Sequence, residues 1–197
     1  MMKENQDRRV QKTRKLLQDA LIELIGAEGY EAVTVQAILD RANVGRSTFY
    51  AHFQDKEQLL HSCFAELHEL FEQKTQQLRQ AQKGGSSEAG PNLSLSLFQF
   101  AERHHRLFKA LLGKRGSGIV TQPIYAFGFS HARDHLQLLL PPEKYGALHV
   151  EIMIHYFVSA LLGVLTWWVE QDMPCSAEEV DRHFRQLAIQ GVGITWS

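Results

Sequence analysis

The segment of residues 34–60 constrains the fold more than any other part of the chain, because short helical patterns and tight turns alternate along it: TVQAILDRANVGRSTFYAHFQDKEQLL. This alternation predicts a short helix, a turn, a second short helix over about 45–52, another turn and the start of a further helix. Hydrogen-bonding side chains crowd the second short helix, and Phe49 and Phe53 are left to face the core. A short polar helix placed after another short helix is typical of a protein that reads duplex DNA.

The polar side chains of this segment each suit a contact with DNA. Small residues at the start of the second short helix allow close approach to the major groove, where Arg46 can bind guanine O6 and N7 or contact a phosphate instead. Thr34 and Lys56 stand at predicted helix N-termini, which favour phosphate, and Gln36 can reach a base edge. The predicted DNA-binding residues are Thr34, Gln36, Arg46, Ser47, Thr48, Tyr50, His52 and Lys56. The alternative is a structural helix whose polar side is only solvated.

The same segment resembles a known family through an ordered series of residues. A helix end and turn come first, then a threonine, an aromatic pair, a histidine-phenylalanine pair and a lysine: Ala42-Asn43-Val44, Thr48, Phe49-Tyr50, His52-Phe53 and Lys56. Over about residues 9–60 the chain resembles the DNA-binding domain of the TetR/AcrR family of bacterial transcription regulators. Asn43 replaces the usual glycine and Gly45 the usual serine-type cap, and both residues are compatible with the turn and the cap.

The resemblance implies an all-α fold in two parts. Residues 1–57 would form a three-helix helix-turn-helix DNA-binding domain, and residues 58–197 a helical effector-binding and dimerisation domain. No strand-like alternation occurs, and residues 83–92 are rich in Gly, Ser and Pro, as in a mobile loop. Besides the helix that follows Thr34 and the one over 45–52, the patterns predict helices over about 9–27, 56–81 behind the cap Asp55, 94–112 as one or two helices, 121–139, 144–171 and 177–190 behind the capping residue Ser176.

Charge is concentrated at the N-terminus although the whole chain has a formal net charge of only −1. That small net charge argues against a nonspecific nucleic-acid coat protein, while a specific binder needs only a local basic surface. Six basic residues supply such a surface: Lys3, Arg8, Arg9, Lys12, Arg14 and Lys15. They can neutralise phosphates and make binding depend on salt, and the alternative is a solvated, disordered tail.

A homodimer is predicted from the long apolar helix within 144–171 and the final helix. Residues 151–169 are apolar nearly all round, which requires burial on more than one side, and Ala160 and Gly163 would let a partner helix approach closely. Two protomers could then form a four-helix bundle. The predicted interface residues are Ile152, Ala160, Gly163, Trp167, Phe184 and Leu187. A core helix of a monomer is the alternative.

The resemblance also implies an apolar effector pocket in the second domain. The candidate pocket residues are Phe100, His104, Tyr125, Phe129 and His155, although such aromatic residues are more often plain core. His131 and His135 stand four residues apart, a spacing that a metal site can use. Since no third ligand is evident from the sequence, neither a metal nor a cofactor is predicted.

These observations predict a sequence-specific transcriptional regulator, a repressor that a small-molecule effector releases from a palindromic double-stranded DNA operator. The chain shows no nucleophile elbow or phosphate loop, so an enzyme is not predicted. Two cysteines without metal-like spacing, no N-terminal apolar region and an apolar run of only residues 157–169 predict a cytoplasmic protein without a membrane span. The alternative is a helical protein-binding or metal-binding bundle that does not bind DNA.

Overall fold

The computed structural model describes the backbone of residues 2–83, 92–112, 118–139 and 142–190. Within these ranges it describes the side chains, apart from those of residues 2–7, 82, 83, 118–125, 127, 142, 144, 189 and 190. The described ranges contain helices and connecting turns, and no strand occurs in them. The helices are α1 (Met2–Glu28), α2 (Val35–Ala42), α3 (Arg46–Tyr50), α4 (Lys56–Ser62), α5 (Ala65–Lys83), α6 (Leu93–Arg103), α7 (His105–Leu112), α8 (Gly118–Leu139), α9 (Pro142–Tyr145), α10 (Ala147–Glu170) and α11 (Ala177–Gln190).

The helices divide into two compact units. Unit 1 comprises Met1–Glu66 and Arg106–Val120, and unit 2 comprises Leu67–His105 and Thr121–Ser197. Residues 58–66 and nearly all of α7 therefore pack with the N-terminal helices. The predicted functional division into residues 1–57 and 58–197 stays a prediction.

Unit 1 is built on the apolar face of α1, whose periodicity is evident in the sequence. Leu17, Leu21 and Ile25 recur at four-residue steps, and each is completely buried. The other helices add further fully buried side chains to this core, among them Ile38, Phe49, Leu59 and Leu111. A Cβ added to Gly26 of α1 would lie 3.9 Å from the Ala110 Cβ of α7, and the rings of Phe64 and Phe108 meet edge to face at 6.1 Å. These two contacts show how α7 packs within unit 1.

Two predicted helix boundaries in this unit are wrong. The first helix begins at Met2 rather than at about residue 9, so Arg8 joins Arg9, Lys12, Arg14 and Lys15 on the helix and these residues are not part of a disordered tail. The predicted helix over 56–81 is interrupted between α4 and α5. There the amides of Cys63 and Phe64 donate to carbonyls three residues back, at Leu60 and His61, both at 3.0 Å. This tighter turn ends α4 without the glycine or proline that would have marked it in the sequence.

Unit 2 has an aromatic core, and a buried network of hydrogen bonds joins the start of α6 to α11. The Phe98 ring of α6 packs edge to face on Trp168 of α10 at 5.6 Å and also contacts Phe184 of α11 at 6.4 Å. Asp181 of α11 is only 1% exposed, and its carboxylate accepts hydrogen bonds from Asn92, Ser94 and Arg185 at 2.6–2.9 Å. Asn92 also caps α6 by accepting from the Leu95 amide. The start of α6 is therefore fixed to α11 by side chains far apart in the sequence.

The last two long helices begin and end close to their predicted bounds. The predicted capping residue is confirmed, because Ser176 Oγ accepts from the Glu179 amide at 3.2 Å ahead of α11. Among the described residues, α10 is also long and apolar enough to cross a bilayer by length and composition alone, with a mean hydropathy of 1.7. Its buried stripe includes Ile154, Val158 and Trp168, all within the core of unit 2. The core helix of a folded domain meets the same criterion. The predicted loop over 83–92 lies mostly outside the described residues.

Candidate nucleic-acid interface and effector unit

The turn between α2 and α3 is fixed by two local features. Thr34 Oγ1 accepts from the Ala37 amide at 3.1 Å, which confirms Thr34 as the cap of α2. Asn43 ends α2 in the left-handed conformation, with φ 51° and ψ 47°, and the Val44 amide donates to the Leu39 carbonyl at 3.1 Å. Asparagine tolerates this conformation better than other residues with a side chain, so it can replace the glycine expected here.

Helix α3 lies with its aromatic side toward the core and its polar side toward solvent. Phe49 is completely buried and Phe53, just beyond the helix, is 2% exposed, as predicted. Their neighbour Tyr50 is 54% exposed, and its ring stands edge to face on Phe49 at 5.3 Å. Arg46, Ser47 and Thr48 are also exposed. Since these side chains are not sealed in the core, α3 presents a continuous polar surface for a ligand.

A hydrogen-bonded chain joins the two predicted base-reading residues. Arg46 Nη2 donates to Gln36 Oε1 at 2.9 Å, and Gln36 Nε2 donates to Asp40 Oδ1 at 2.8 Å. All three side chains are at least partly open to solvent. These two hydrogen bonds fix which end of the Gln36 amide points toward Arg46, and they orient the Arg46 guanidinium. Asp40 was missed in the sequence because nothing distinguishes it there from any other solvated carboxylate.

Lys56 lies differently from the predicted phosphate contact. Its Nζ donates to the backbone carbonyls of Tyr30 and Val33 at 3.0 and 2.9 Å, and it lies 4.4 Å from the centre of the Tyr30 ring. Two of its three N–H donors are thus used to hold the corner that precedes α2. This arrangement lets Lys56 hold the corner of the helix-turn-helix, and its predicted phosphate contact stays a prediction. Burial, followed by the carboxylates of Glu57, Glu31 and Asp55, raises the pKa of Tyr30 to about 12.

The remaining predicted DNA-binding residues lie around α3. His52 is half-buried, and its ring is tilted against the Phe53 ring with 6.3 Å between the centres. Thr34, the N-cap of α2, is exposed. On α1, Arg8, Arg9, Lys12 and Lys15 are exposed, whereas the Arg14 guanidinium lies over the Phe53 ring at 5.1 Å. Arg14 therefore helps to hold the segment after α3, and the other four basic residues form a charged face on α1.

The outer face of α10 carries the exposed apolar residues that a dimer interface requires. Ile152 and Trp167 are 58% and 50% exposed. A Cβ added to Gly163 would have no heavy atom of another residue within 4 Å, so this part of the helix surface is open. A shallow apolar groove follows this face, lined by Leu148, Glu151, Ile152, His155, Tyr156, Ser159 and Ala160. Leu187 of α11 is also 46% exposed. The prediction for Phe184 is corrected, because its 2% exposed ring packs on Phe98 and Phe157 of its own chain.

The predicted effector residues fall into two separate ring contacts. The Phe100 and His104 rings lie 4.2 Å apart at the C-terminal end of α6, and Phe100 is completely buried. The rings of Phe129 on α8 and His155 on α10 lie 4.6 Å apart, with His155 exposed on the groove face. Tyr125 lies outside the residues whose side chains are described. The pocket assignment therefore stays a prediction.

A polar cluster in unit 2 was not recognised in the sequence. His131 of α8 is 5% exposed, and its Nε2 lies 3.0 Å from Nδ1 of His68 on α5. Its Nδ1 lies 3.8 Å from the Glu72 carboxylate, one turn further along α5. Burial and the neighbouring His68 lower the pKa of His131, against the opposing effect of Glu72 and Asp134. The four-residue spacing of His68 and Glu72 was a usable signal, but their partner comes from a helix some sixty residues later.

Cys63, at the turn between α4 and α5, is held in its protonated form. Burial, and to a lesser extent the Asp19 carboxylate, raises the pKa of its thiol to about 12. The Sγ atom lies 3.6 Å from the Leu59 carbonyl, within reach of a weak hydrogen bond. This thiol is therefore expected to be unreactive in the folded protein.

The all-helical architecture and the exposed α3 behind a left-handed turn define a helix-turn-helix transcription regulator. Two family models agree: bacterial regulatory proteins of the tetR family match residues 17–63, and a transcriptional regulator C-terminal region matches residues 91–190. The chain belongs to the TetR family of transcriptional regulators. It is also 40% identical over 55 residues to the uncharacterised HTH-type regulator YxbF of Bacillus subtilis strain 168. That match covers 27% of this chain and 14% of YxbF, so the chain spans only a small part of this relative.

Solved structures of the same fold cover nearly the whole chain. A TetR regulator from Streptococcus agalactiae is 24% identical with a TM-score of 0.56, over 93% of this chain and 97% of that one. The fatty acid degradation regulator FadR from Bacillus halodurans is 20% identical with a TM-score of 0.63, over 93% and 97%. FadR from Bacillus subtilis, solved with stearoyl-CoA, is 19% identical with a TM-score of 0.56, over 90% and 98%. At these identities the likeness shows the fold.

Proposed function

We propose that the protein acts as a twofold dimer that represses transcription from a palindromic operator and leaves it when a small-molecule effector binds. The proposal is supported above all by the Arg46–Gln36 contact of 2.9 Å, because both side chains are exposed on one surface and each is able to bind a base edge. Arginine binds guanine O6 and N7, and glutamine binds adenine N6 and N7. With α3 in the major groove, this pair would read adjacent base pairs as one unit.

The surrounding residues supply contacts that position the reading helix. Tyr50, Thr48 and Thr34 can donate to phosphates from their exposed hydroxyls, and Ser47 keeps the leading edge of α3 small. The exposed basic face of α1 adds charge that neutralises phosphates without sequence preference. In this assignment Arg46 and Gln36 determine which DNA sequence is bound. The hydroxyls and α1 determine the position of the protein on the duplex and the salt dependence of binding.

The outer face of α10 supports the proposed dimer. Its exposed apolar and small residues lie on one stripe, since Leu148, Ile152, Ser159, Gly163 and Trp167 recur at steps of four, seven, four and four. A second copy of α10 and α11 would bury this stripe in a four-helix bundle, and Gly163 would allow close approach. Twofold symmetry then requires two reading helices that face half-sites about 34–36 Å apart. The expected operator is an inverted repeat.

The effector is proposed to act by changing that separation. The helix α5 contains residues of both units, since the boundary falls between Glu66 and Leu67. A displacement of α5 within unit 2 would therefore be transmitted along one helix to unit 1. The effector must bind the released state more tightly than the DNA-bound state, typically by about 1–3 kcal/mol. We propose a site in unit 2, where the Phe100–His104 and Phe129–His155 contacts each pair an apolar ring with an imidazole.

Binding of DNA and release by effector can be measured in one titration. Fluorescence anisotropy of a labelled fragment from the gene's own upstream region should show saturable binding that unlabelled specific DNA displaces. Fatty acyl-CoA thioesters are a reasonable first class of effector, because a regulator of this fold was solved with stearoyl-CoA. Release by one compound at a stoichiometry of one or two per dimer supports the proposal. Binding that is equally tight to every fragment contradicts it.

A further inference from the structure

The cluster of His68, Glu72 and His131 has the composition and the compactness of a metal site. One ligand atom from each of the three residues lies within 4.8 Å of the others. His68 and Glu72 are four residues apart on α5, which places them on one helix face, and His131 comes from α8. The two imidazoles already approach to 3.0 Å between Nδ1 of His68 and Nε2 of His131.

The donor set is selective for certain metals. Two imidazole nitrogens and one carboxylate oxygen are the protein ligands found in zinc sites that keep a fourth position open. At Zn–N distances of about 2.0–2.1 Å, two ligand nitrogens of a tetrahedral site lie about 3.3 Å apart. The separation of these two nitrogens would therefore change by only a few tenths of an ångström, whereas the Glu72 carboxylate, now 3.8 Å from the other nitrogen of His131, would have to turn toward the ion. Hard cations such as Mg²⁺ prefer oxygen ligands and would bind this set poorly.

A further buried polar group lies on the same face of α5. Thr75 is one turn beyond Glu72 and two turns beyond His68, and it is 3% exposed. Its Oγ1 has no hydrogen-bond partner among the residues that the structure describes. A buried hydroxyl without a partner is costly, and a water bound at a neighbouring open metal position would supply one.

We propose that His68, Glu72 and His131 form a binding site for a divalent transition-metal ion, with Zn²⁺ as the best fit. The ion would join α5 to α8 inside unit 2, and its fourth position would hold water or a ligand. This proposal does not depend on DNA binding. A hydrogen bond between the two imidazoles is the arrangement that the ion would replace.

The test uses the full-length protein without an affinity tag, because tag histidines bind zinc. Zinc is titrated in competition with a chromophoric chelator, and bound metal is counted after dialysis. The variants His68→Ala and Glu72→Gln remove one ligand each from exposed or half-buried positions, while His131 is left in place because of its burial. The matched control is His183→Ala, an exposed histidine on α11 in the same unit. Thermal unfolding of the metal-free variants shows that each one folds.

The expected result is one zinc ion per chain, with at least tenfold weaker binding in His68→Ala and Glu72→Gln and unchanged binding in His183→Ala. Loss of an outer-shell partner alone typically weakens metal binding 10–100-fold, so loss of a direct ligand should cost no less. Zinc should also shift the imidazole NMR signals of His131, whereas millimolar Mg²⁺ should leave them unchanged. Absence of bound zinc, or equal affinity in all four proteins, would overturn the proposal.

Discussion

Arg46 on α3 donates a hydrogen bond to Gln36 on α2, at 2.9 Å between Nη2 and Oε1. The contact crosses the turn of the helix-turn-helix and lies on its exposed side. It couples the orientation of one side chain that can read guanine to another that can read adenine. We therefore expect the geometry of the turn to influence DNA recognition, and substitutions on either side of it can test this.

Replacement of Arg46 tests whether this residue reads a base. Arg46→Ala should lose about 1–3 kcal/mol of operator binding and relax the preference at one base pair, because a bidentate contact to guanine disappears. Binding to a panel of single-base operator variants measures both effects. In a double-mutant cycle, Gln36→Ala should be less harmful when Arg46 is already absent. A loss of equal size on every DNA would instead assign Arg46 to a phosphate.

Replacement of Lys56 separates a positioning role from a phosphate contact. Lys56→Met should lower the free energy of unfolding by about 1–3 kcal/mol, because the carbonyls of Tyr30 and Val33 lose a charged donor. The salt dependence of DNA binding should change little. Lys12→Ala, on the exposed face of α1, is the matched comparison and should flatten the salt slope by about one ion without loss of stability. The reverse pattern would return Lys56 to the phosphate contacts.

The left-handed residue in the turn gives a prediction about backbone strain. Asn43→Gly should leave stability within about 1 kcal/mol, whereas Asn43→Val should lower it by about 1–2 kcal/mol or more, because a branched side chain resists a φ of 51°. Chemical denaturation measures the difference. Gly45→Ser should raise stability by a few tenths of a kcal/mol, since the cap of α3 has no side-chain hydrogen bond. Equal stability of the glycine and valine variants would exclude strain as the cause.

A charge on the outer face of α10 should disrupt the proposed dimer. Ile152→Glu places a carboxylate in the apolar stripe, and sedimentation should then show a monomer that has lost most of its operator affinity. Gln73→Glu introduces the same side chain at an exposed position on α5 and should leave the dimer intact. A wild-type protein that sediments as a single chain at micromolar concentration would contradict the dimer directly.

The half-buried thiol of Cys63, with its raised pKa, predicts both slow alkylation and alkaline destabilisation. With a pKa of about 12 against an ordinary value of 9.0, the folded protein keeps a proton that the unfolded chain loses. The thiol therefore does not affect stability below about pH 9, and it lowers the free energy of unfolding progressively as the pH rises from 9 toward 12. Thermal midpoints of the wild type and Cys63→Ala should diverge over this interval. At pH 8, iodoacetamide should label Cys63 only when the protein unfolds, and rapid labelling of the folded protein would refute the assignment.

Local signals in the sequence predicted most of the helices and the orientation of α3. Thr34 and Ser176 are caps whose side chains act within four residues, and Phe49 and Phe53 follow the helical period that turns them inward. Such features depend only on residues that are close in the sequence, so a short segment is enough to predict them. The TetR resemblance over residues 9–60 added the function, and the family models confirm it.

The errors concern contacts between residues far apart in the chain. Phe184 is buried by rings from two other helices. The hydrogen bonds of Lys56 to carbonyls more than twenty residues earlier were likewise not predicted, while its phosphate contact stays a prediction. The metal-like cluster needs His131 beside a helix face defined by His68 and Glu72. Such pairings depend on how helices pack, which periodicity does not specify. The break at Cys63 was missed for a different reason, since no glycine or proline marks it.

Selection of bound fragments from a random DNA pool tests the central claim most directly, because the operator sequence is an outcome of the selection and not an input to it. The wild-type protein should enrich an inverted repeat whose half-sites are centred about one helical turn apart, or a multiple of it. Arg46→Ala should enrich a motif that is degenerate at one symmetric position in each half-site. Enrichment of no motif, or of a motif that Arg46→Ala reproduces without change, would contradict the assignment of α3 as the reading helix.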